Sequence, residues 1–203
     1  AQARLFAEFR AVDPAMLAGL RDSVCFSESF EAVRDGDIGT LTEGLVGKAY
    51  ATAGNYTIDV ATVLPQGAGA IGWWARHDFD STAGASLLSL NRGSALYLNF
   101  IGTSSSDYRH TEIGQFWCRL FGAEFARYPG TVKPQTWHHF VLTWEGDEMT
   151  AYFDGGLCSS ARGRGGATFS SMGVKTLTLG NPYVDPAKAP DRVGPFGLLE
   201  QIG

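Results

Sequence analysis

The chain has 203 residues, 44% of them apolar and 18% charged, with 26 glycines, 13 phenylalanines and a net charge of −5. That length fits one all-β domain, and that apolar share can fill a sizeable core. The negative balance lacks the basic footprint of a nucleic-acid or anionic-membrane binder, and no segment reads as a transmembrane span or signal peptide, so neither nucleic acid nor membrane insertion is expected.

Residues 1–23 read as an N-terminal arm with a short helix. Arg4 to Val12 is an extended arm or short strand. Asp13 then serves as N-cap and Pro14 as first helical residue, with Met16, Leu17 and Leu20 on one face. Two helical turns cannot stand alone, so this segment must dock on the remainder or on a neighbour, and it is the expected tether. The chain opens on Ala1 without a Met, which reads as processing or as a piece of something longer.

Residues 24–203 carry strand signals at short spacing. Val24–Phe26 is the first, followed by a polar, Gly-rich stretch from Arg34 to Gly44. Lys48–Tyr50, Tyr56–Val60, Ala70–Arg76, Ser86–Asn91, Ala95–Ile101 and Phe116–Leu120 follow, bounded by Gly, Ser or Asn. Trp137–Trp144 and Met149–Phe153 flank Glu145-Gly146-Asp147-Glu148 and predict a β-hairpin. Asp154-Gly155-Gly156 is a further turn, and Thr176–Leu179 and Gly197–Ile202 are the last strands. Alternation places Phe140, Leu142 and Trp144 on one face and His139, Val141 and Thr143 on the other. Ile71 and Trp73 share a face opposite Trp74 and Arg76; Trp73, Trp74, Trp137 and Trp144 are expected in the core.

Three segments, in order, resemble the laminin-G-like, concanavalin-A-like (pentraxin-related) jelly-roll family. They are Gly69–Arg76 (GAIGWWAR), the run Trp137–Gly155 (WHHFVLTWEG through MTAYFDG), and Leu177–Gly180 with Phe196–Glu200 (LTLG and FGLLE). Phe26–Phe30 and Gly44–Ala49 are similar to the family's opening. The resemblance implies an all-β, antiparallel two-sheet β-sandwich of some twelve to fourteen strands with one concave surface. The family continues beyond its final acidic residue, whereas this chain stops at Gly203; either the tail is missing from the sequence in hand or a partner supplies the closing strand, and the sheet edge is then open to pairing by another chain.

Catalytic chemistry is mostly missing. Glycosidases on related folds need two carboxylates held about 5 Å apart on one strand face. Glu145, Asp147 and Glu148 fall in a hairpin turn instead, so no enzyme is expected. His138 and His139 point to opposite faces of a strand and cannot chelate one metal. Cys25, Cys118 and Cys158 are odd in number and lack zinc spacing; buried reduced thiols, or one disulfide with one free thiol, both satisfy them. Arg162-Gly163-Arg164 reads as a surface loop, and Asn55-Tyr56-Thr57 is a glycosylation triplet.

Calcium is the cofactor the resemblance brings, with Asp78, Asp80, Asp185 and Asp191 as loop donors; solvated turn carboxylates are the plainer alternative. Ligand contact is expected at aromatics in Gly/Ser-rich connections: Tyr108 with Arg109 and His110, then Tyr128 and Tyr183. Two functions follow. One is a non-catalytic module binding glycan or protein on a secreted or surface-displayed protein. The other is a structural subunit of an extracellular or virion assembly, self-associating through its N-terminal arm and open edge. The resemblance places either one outside the cell, at the cell surface or on a virion.

Overall fold

A computed structural model describes residues 24, 40–45, 47–51, 56–76, 85–90, 96–101, 115–120, 123–127, 135–179 and 198–200, several strands by their backbone alone. These form thirteen strands and one short helix. They run β1 Thr40–Glu43, β2 Lys48–Ala51, β3 Tyr56–Asp59, β4 Ala68–Arg76, β5 Ala85–Leu90, β6 Leu96–Ile101 and β7 Gln115–Leu120. Then come β8 Ala123–Arg127, β9 His138–Glu145, β10 Glu148–Phe153, β11 Gly156–Arg162, α1 Phe169–Met172, β12 Thr176–Leu179 and β13 Leu198–Glu200.

Every pairing is antiparallel. One sheet has the order β1-β2-β13-β4-β9-β10-β11 and the other β3-β12-β5-β6-β7-β8. Ile71, Trp73, Phe140, Leu142, Trp144, Met149 and Phe153 of the first sheet meet Ile58, Leu90 and Leu177 of the second in one buried cluster. The architecture is the antiparallel two-sheet β-sandwich that the family resemblance implies.

The longest strands show how sequence dictates facing. Along β9, His138, Phe140, Leu142 and Trp144 are buried and the residues between them half-buried. Along β4, Ile71, Trp73 and Ala75 are buried in the same way. Trp73 stacks on Phe140, its cross-strand partner, at 5.6 Å and 9°. Apolar burial of each large side chain stabilises by roughly 1.5–3 kcal/mol.

The Asp154-Gly155 turn has positive φ at both central residues, 48° and 79°, the mirror-image geometry that tight hairpins prefer. The β9–β10 loop turns at Gly146, φ +58°. Asp147 in the loop is half-buried, while the flanking Glu145 and Glu148 are exposed, Glu148 in an ion pair with Arg162 at 2.6 Å. The turn itself is only Gly146-Asp147; Glu145 and Glu148, expected in it, are the paired last and first residues of β9 and β10.

Four elements were not expected. β1 lies inside the stretch read as a polar connection, where Thr40-Leu41-Thr42 alternates after all and turns Leu41 toward the core. β8 and β11, mostly of small and charged residues, are sheet edges among the described strands, with one hydrogen-bonded neighbour each. Arg162 closes β11 rather than opening a loop; the turn begins at Gly163. α1 is four residues held by a Thr168–Ser171 capping box.

Three expectations need correction. β13 is no open edge, since it pairs with β2 on one side and β4 on the other. Trp74 is only half-buried, on the outer face, because it alternates with Trp73. Val24 is exposed and outside any strand. The N-terminal arm and helix, Cys25 and Phe26 lie outside the described residues. Cys158 is a free thiol packed against the core, and burial pushes its pKa up.

Candidate functional site

The outer face of the seven-stranded sheet gathers its polar and aromatic groups at one end of β4 and β9. Side chains that alternate away from the core bring Trp74 opposite His139 in register, with Arg76 at the end of β4 and Trp137 immediately before β9. Trp74 and His139 stack at 4.8 Å with their rings tilted by 30°. The Arg76 guanidinium lies 5.3 Å from the Trp137 ring centroid, a cation–π contact. Trp137 is 7% exposed and packs with Ala49, Leu45 and Trp74 in a small second cluster outside the main core.

Beside this square opens a cleft of about 480 Å³, lined by Thr42, Glu43, Gly44, Leu45, Arg76, Gln135 and Trp137. Its volume lies within the range of small-ligand sites, roughly 300–1,000 Å³. The β1–β2 turn supplies one wall, fixed by the Gly44 N–H donating to the Gly47 carbonyl at 3.0 Å. The residues before β9 supply the other, where Gln135 has a left-handed backbone with φ +59°. Donors (the Arg76 guanidinium and the Gln135 amide) thus share one concavity with acceptors (the Glu43 carboxylate and the Thr42 hydroxyl) and an apolar wall of Leu45 and Trp137.

A second polar assembly braces this end from inside. His138 Nδ1 donates to Asp154 Oδ2 at 2.8 Å, while Asp154 Oδ1 accepts the His139 N–H at 2.8 Å. The two histidines therefore do separate things, as opposite facing requires. His138 packs into the core against Phe153 at 4.8 Å, and His139 remains on the outer face. Burial holds the His139 imidazole pKa below its ordinary value, an effect partly offset by the charge of Asp154.

Tyr108, Arg109, His110, Tyr128 and Tyr183, expected at the ligand, lie outside the described residues, as do Asp78, Asp80, Asp185 and Asp191, expected at calcium. Among the described residues no group of three or more His, Cys, Asp or Glu could hold a metal ion. The cleft of Arg76, Trp137 and Gln135 was not anticipated. The signal was present in the Trp74–Arg76 parity, but the tryptophans were assigned to the core.

Residues 50–190 match the family model described as the concanavalin A-like lectin/glucanases superfamily. No curated protein matches the chain. Among solved structures, it is similar to domain 4 of AbnA, an extracellular arabinanase of Geobacillus stearothermophilus solved with arabinotriose. The TM-score is 0.56 at 13% identity, over 87% of this chain and 79% of that one. Trypanosoma rangeli sialidase gives 0.55 at 15%, over 80% of this chain and only 25% of the sialidase. The binding domain of Paraclostridial Mosquitocidal Protein 1 gives 0.54 at 12%, over 87% and 42%. At such identities the likeness is one of fold. With the family model spanning most of its length and the two antiparallel sheets in place, the chain belongs to the concanavalin A-like lectin/glucanases superfamily.

Proposed function

We propose that the chain is a non-catalytic module that binds glycan on a secreted or surface-displayed protein, through the cleft beside Trp137. The observation that carries this reading is the Arg76–Trp137 corner, a guanidinium fixed over an indole at the mouth of a concave, mostly polar site. A sugar ring offers hydroxyls to planar polar side chains and C–H faces to apolar walls, which is the chemistry this lining answers. Support comes from the arabinanase domain, solved with arabinotriose, and from the mosquitocidal fragment named a binding domain. The fold is shared with enzymes such as the sialidase, so absence of turnover is part of the proposal. It is favoured by the exposure of Glu145 and Glu148 at the strand ends on either side of Gly146-Asp147, where water screens both and Glu148 is already paired with Arg162.

A glycan array probed with and without EDTA tests this reading and the calcium expectation together. Binding that falls about tenfold or more in Arg76→Leu, without loss of the folded near-ultraviolet spectrum, supports the site. Binding lost with EDTA returns attention to Asp78, Asp80, Asp185 and Asp191. No binding in either condition, or hydrolysis of any array glycan, overturns the reading.

A further inference from the structure

Gln135, a turn residue just before β9, holds a costly conformation that no side-chain hydrogen bond among the described residues offsets. A non-glycine residue in the left-handed region costs on the order of 1 kcal/mol. Two described residues accept that cost, Gln135 at φ +59° and Asp154 at φ +48°. Asp154 is compensated. Its carboxylate takes hydrogen bonds from His138 and His139, and its N–H donates to the His139 carbonyl at 2.8 Å. The exposed Gln135 side chain makes no hydrogen bond among the described residues, and it lines the cleft. Glycine would relieve the strain and, among the described residues, break no hydrogen bond. An unrelieved conformation at the rim of a concave site is a mark of ligand positioning.

The charges around it narrow the ligand. Glu43 and Arg76 line the same cleft, so a carboxylate or sulfate drawn to one faces repulsion from the other. The chain as a whole is at −5, which further disfavours a polyanion. Acid and guanidinium together suit a neutral polyol, since the carboxylate accepts from one hydroxyl while the guanidinium donates to its neighbour.

Resting on the glycan-binding reading above, we propose that the cleft takes an uncharged sugar residue and that the Gln135 side-chain amide is a direct hydrogen-bonding contact to it. The left-handed backbone serves to aim that amide before the ligand arrives. Pre-aiming spares ordering cost at the moment of binding.

The test uses the full chain, calorimetry, and a panel of neutral arabino-, gluco- and galacto-oligosaccharides beside their uronate and sulfated counterparts. Neutral members should bind, with affinity nearly unchanged between about 0.05 and about 0.5 M NaCl. Gln135→Gly should melt at or above the wild-type temperature yet bind roughly five- to tenfold more weakly, the loss of one hydrogen bond. Gln135→Asn keeps the amide and tolerates the backbone, and should fall between them. Binding restricted to acidic members and weakened by salt overturns the inference while leaving glycan binding intact. So does unchanged affinity for a neutral member in Gln135→Gly. Failure to bind any member overturns the glycan reading and this inference with it.

Discussion

Asp154 Oδ2 lies 2.8 Å from His138 Nδ1, and the same carboxylate accepts the backbone N–H of His139 at 2.8 Å. A single turn residue thereby fixes the first residues of β9, whose two imidazoles go to opposite faces of the sheet. Asp154 also supplies the positive φ that the mirror-image turn needs, so charge and backbone conformation must be separated experimentally. Asp154→Ala is expected to lose roughly 2–4 kcal/mol in urea unfolding, because it removes two charge-assisted hydrogen bonds and adopts the turn poorly. Asp154→Asn keeps the conformation and one acceptor oxygen, and should lose about half as much. Equal losses in the two variants would assign the whole effect to charge.

His139 gives a pH dependence whose sign can be worked out. Burial against Trp74 places its folded pKa below the ordinary imidazole value, despite the opposing charge of Asp154. The unfolded chain therefore binds this proton at higher pH than the folded chain does. Stability from this residue is fully present above the ordinary value and is lost as pH falls through the folded one. Urea midpoints measured from neutral to mildly acid pH should decline, and His139→Gln should flatten part of that decline. A slope unchanged in the variant would assign the effect to other groups.

The sandwich was legible because alternation is a local property: Phe140, Leu142 and Trp144 declare their face within one strand. The hairpins were legible for the same reason, since Asp154-Gly155 fits few other geometries. What escaped depended on pairing across distant segments. β11 (Gly156-Leu157-Cys158-Ser159-Ser160-Ala161-Arg162) has weak strand propensity and is recruited by β10, with a register shift opposite Ala151 and Tyr152 that turns Cys158 toward the core. β13 looked terminal in the chain yet is inserted between β2 and β4, and no residue of Leu198–Glu200 announces that neighbourhood. The cleft escaped similarly. Glu43, Arg76 and Gln135 are far apart in sequence and meet only once β1, β4 and β9 are placed.

The capping box before α1 should matter more than its four residues imply. The Ser171 N–H donates to Thr168 Oγ1 at 3.0 Å, and the Thr168 N–H to Ser171 Oγ at 2.8 Å. These bonds aim Phe169, fully buried, so that it stacks on Trp144 at 4.1 Å. Thr168→Ala is expected to cost about 1 kcal/mol and to change tryptophan fluorescence, as Phe169 loosens against the indole. Thr168→Ser should preserve both. An unchanged emission spectrum in the Ala variant would separate the cap from the core.

Gly69 faces Trp144 across the β4–β9 pair because the indole needs the space a side chain would take. A β-carbon at Gly69 would lie 2.6 Å from Trp144 Cζ2, with Pro65 at 3.1 Å on the other side. The indole cannot swing aside freely. Its Nε1–H donates to the Pro65 carbonyl at 3.1 Å, and its face is held against Phe169. Gly69→Ala should therefore destabilise by roughly 1–3 kcal/mol, a fall in Tm on the order of 3–10 °C. Trp144→Phe removes the clashing ring carbon, so the double variant should be less destabilised than the two single losses added together. Strict additivity of the two would show that Gly69 is required for some other reason than room for the indole.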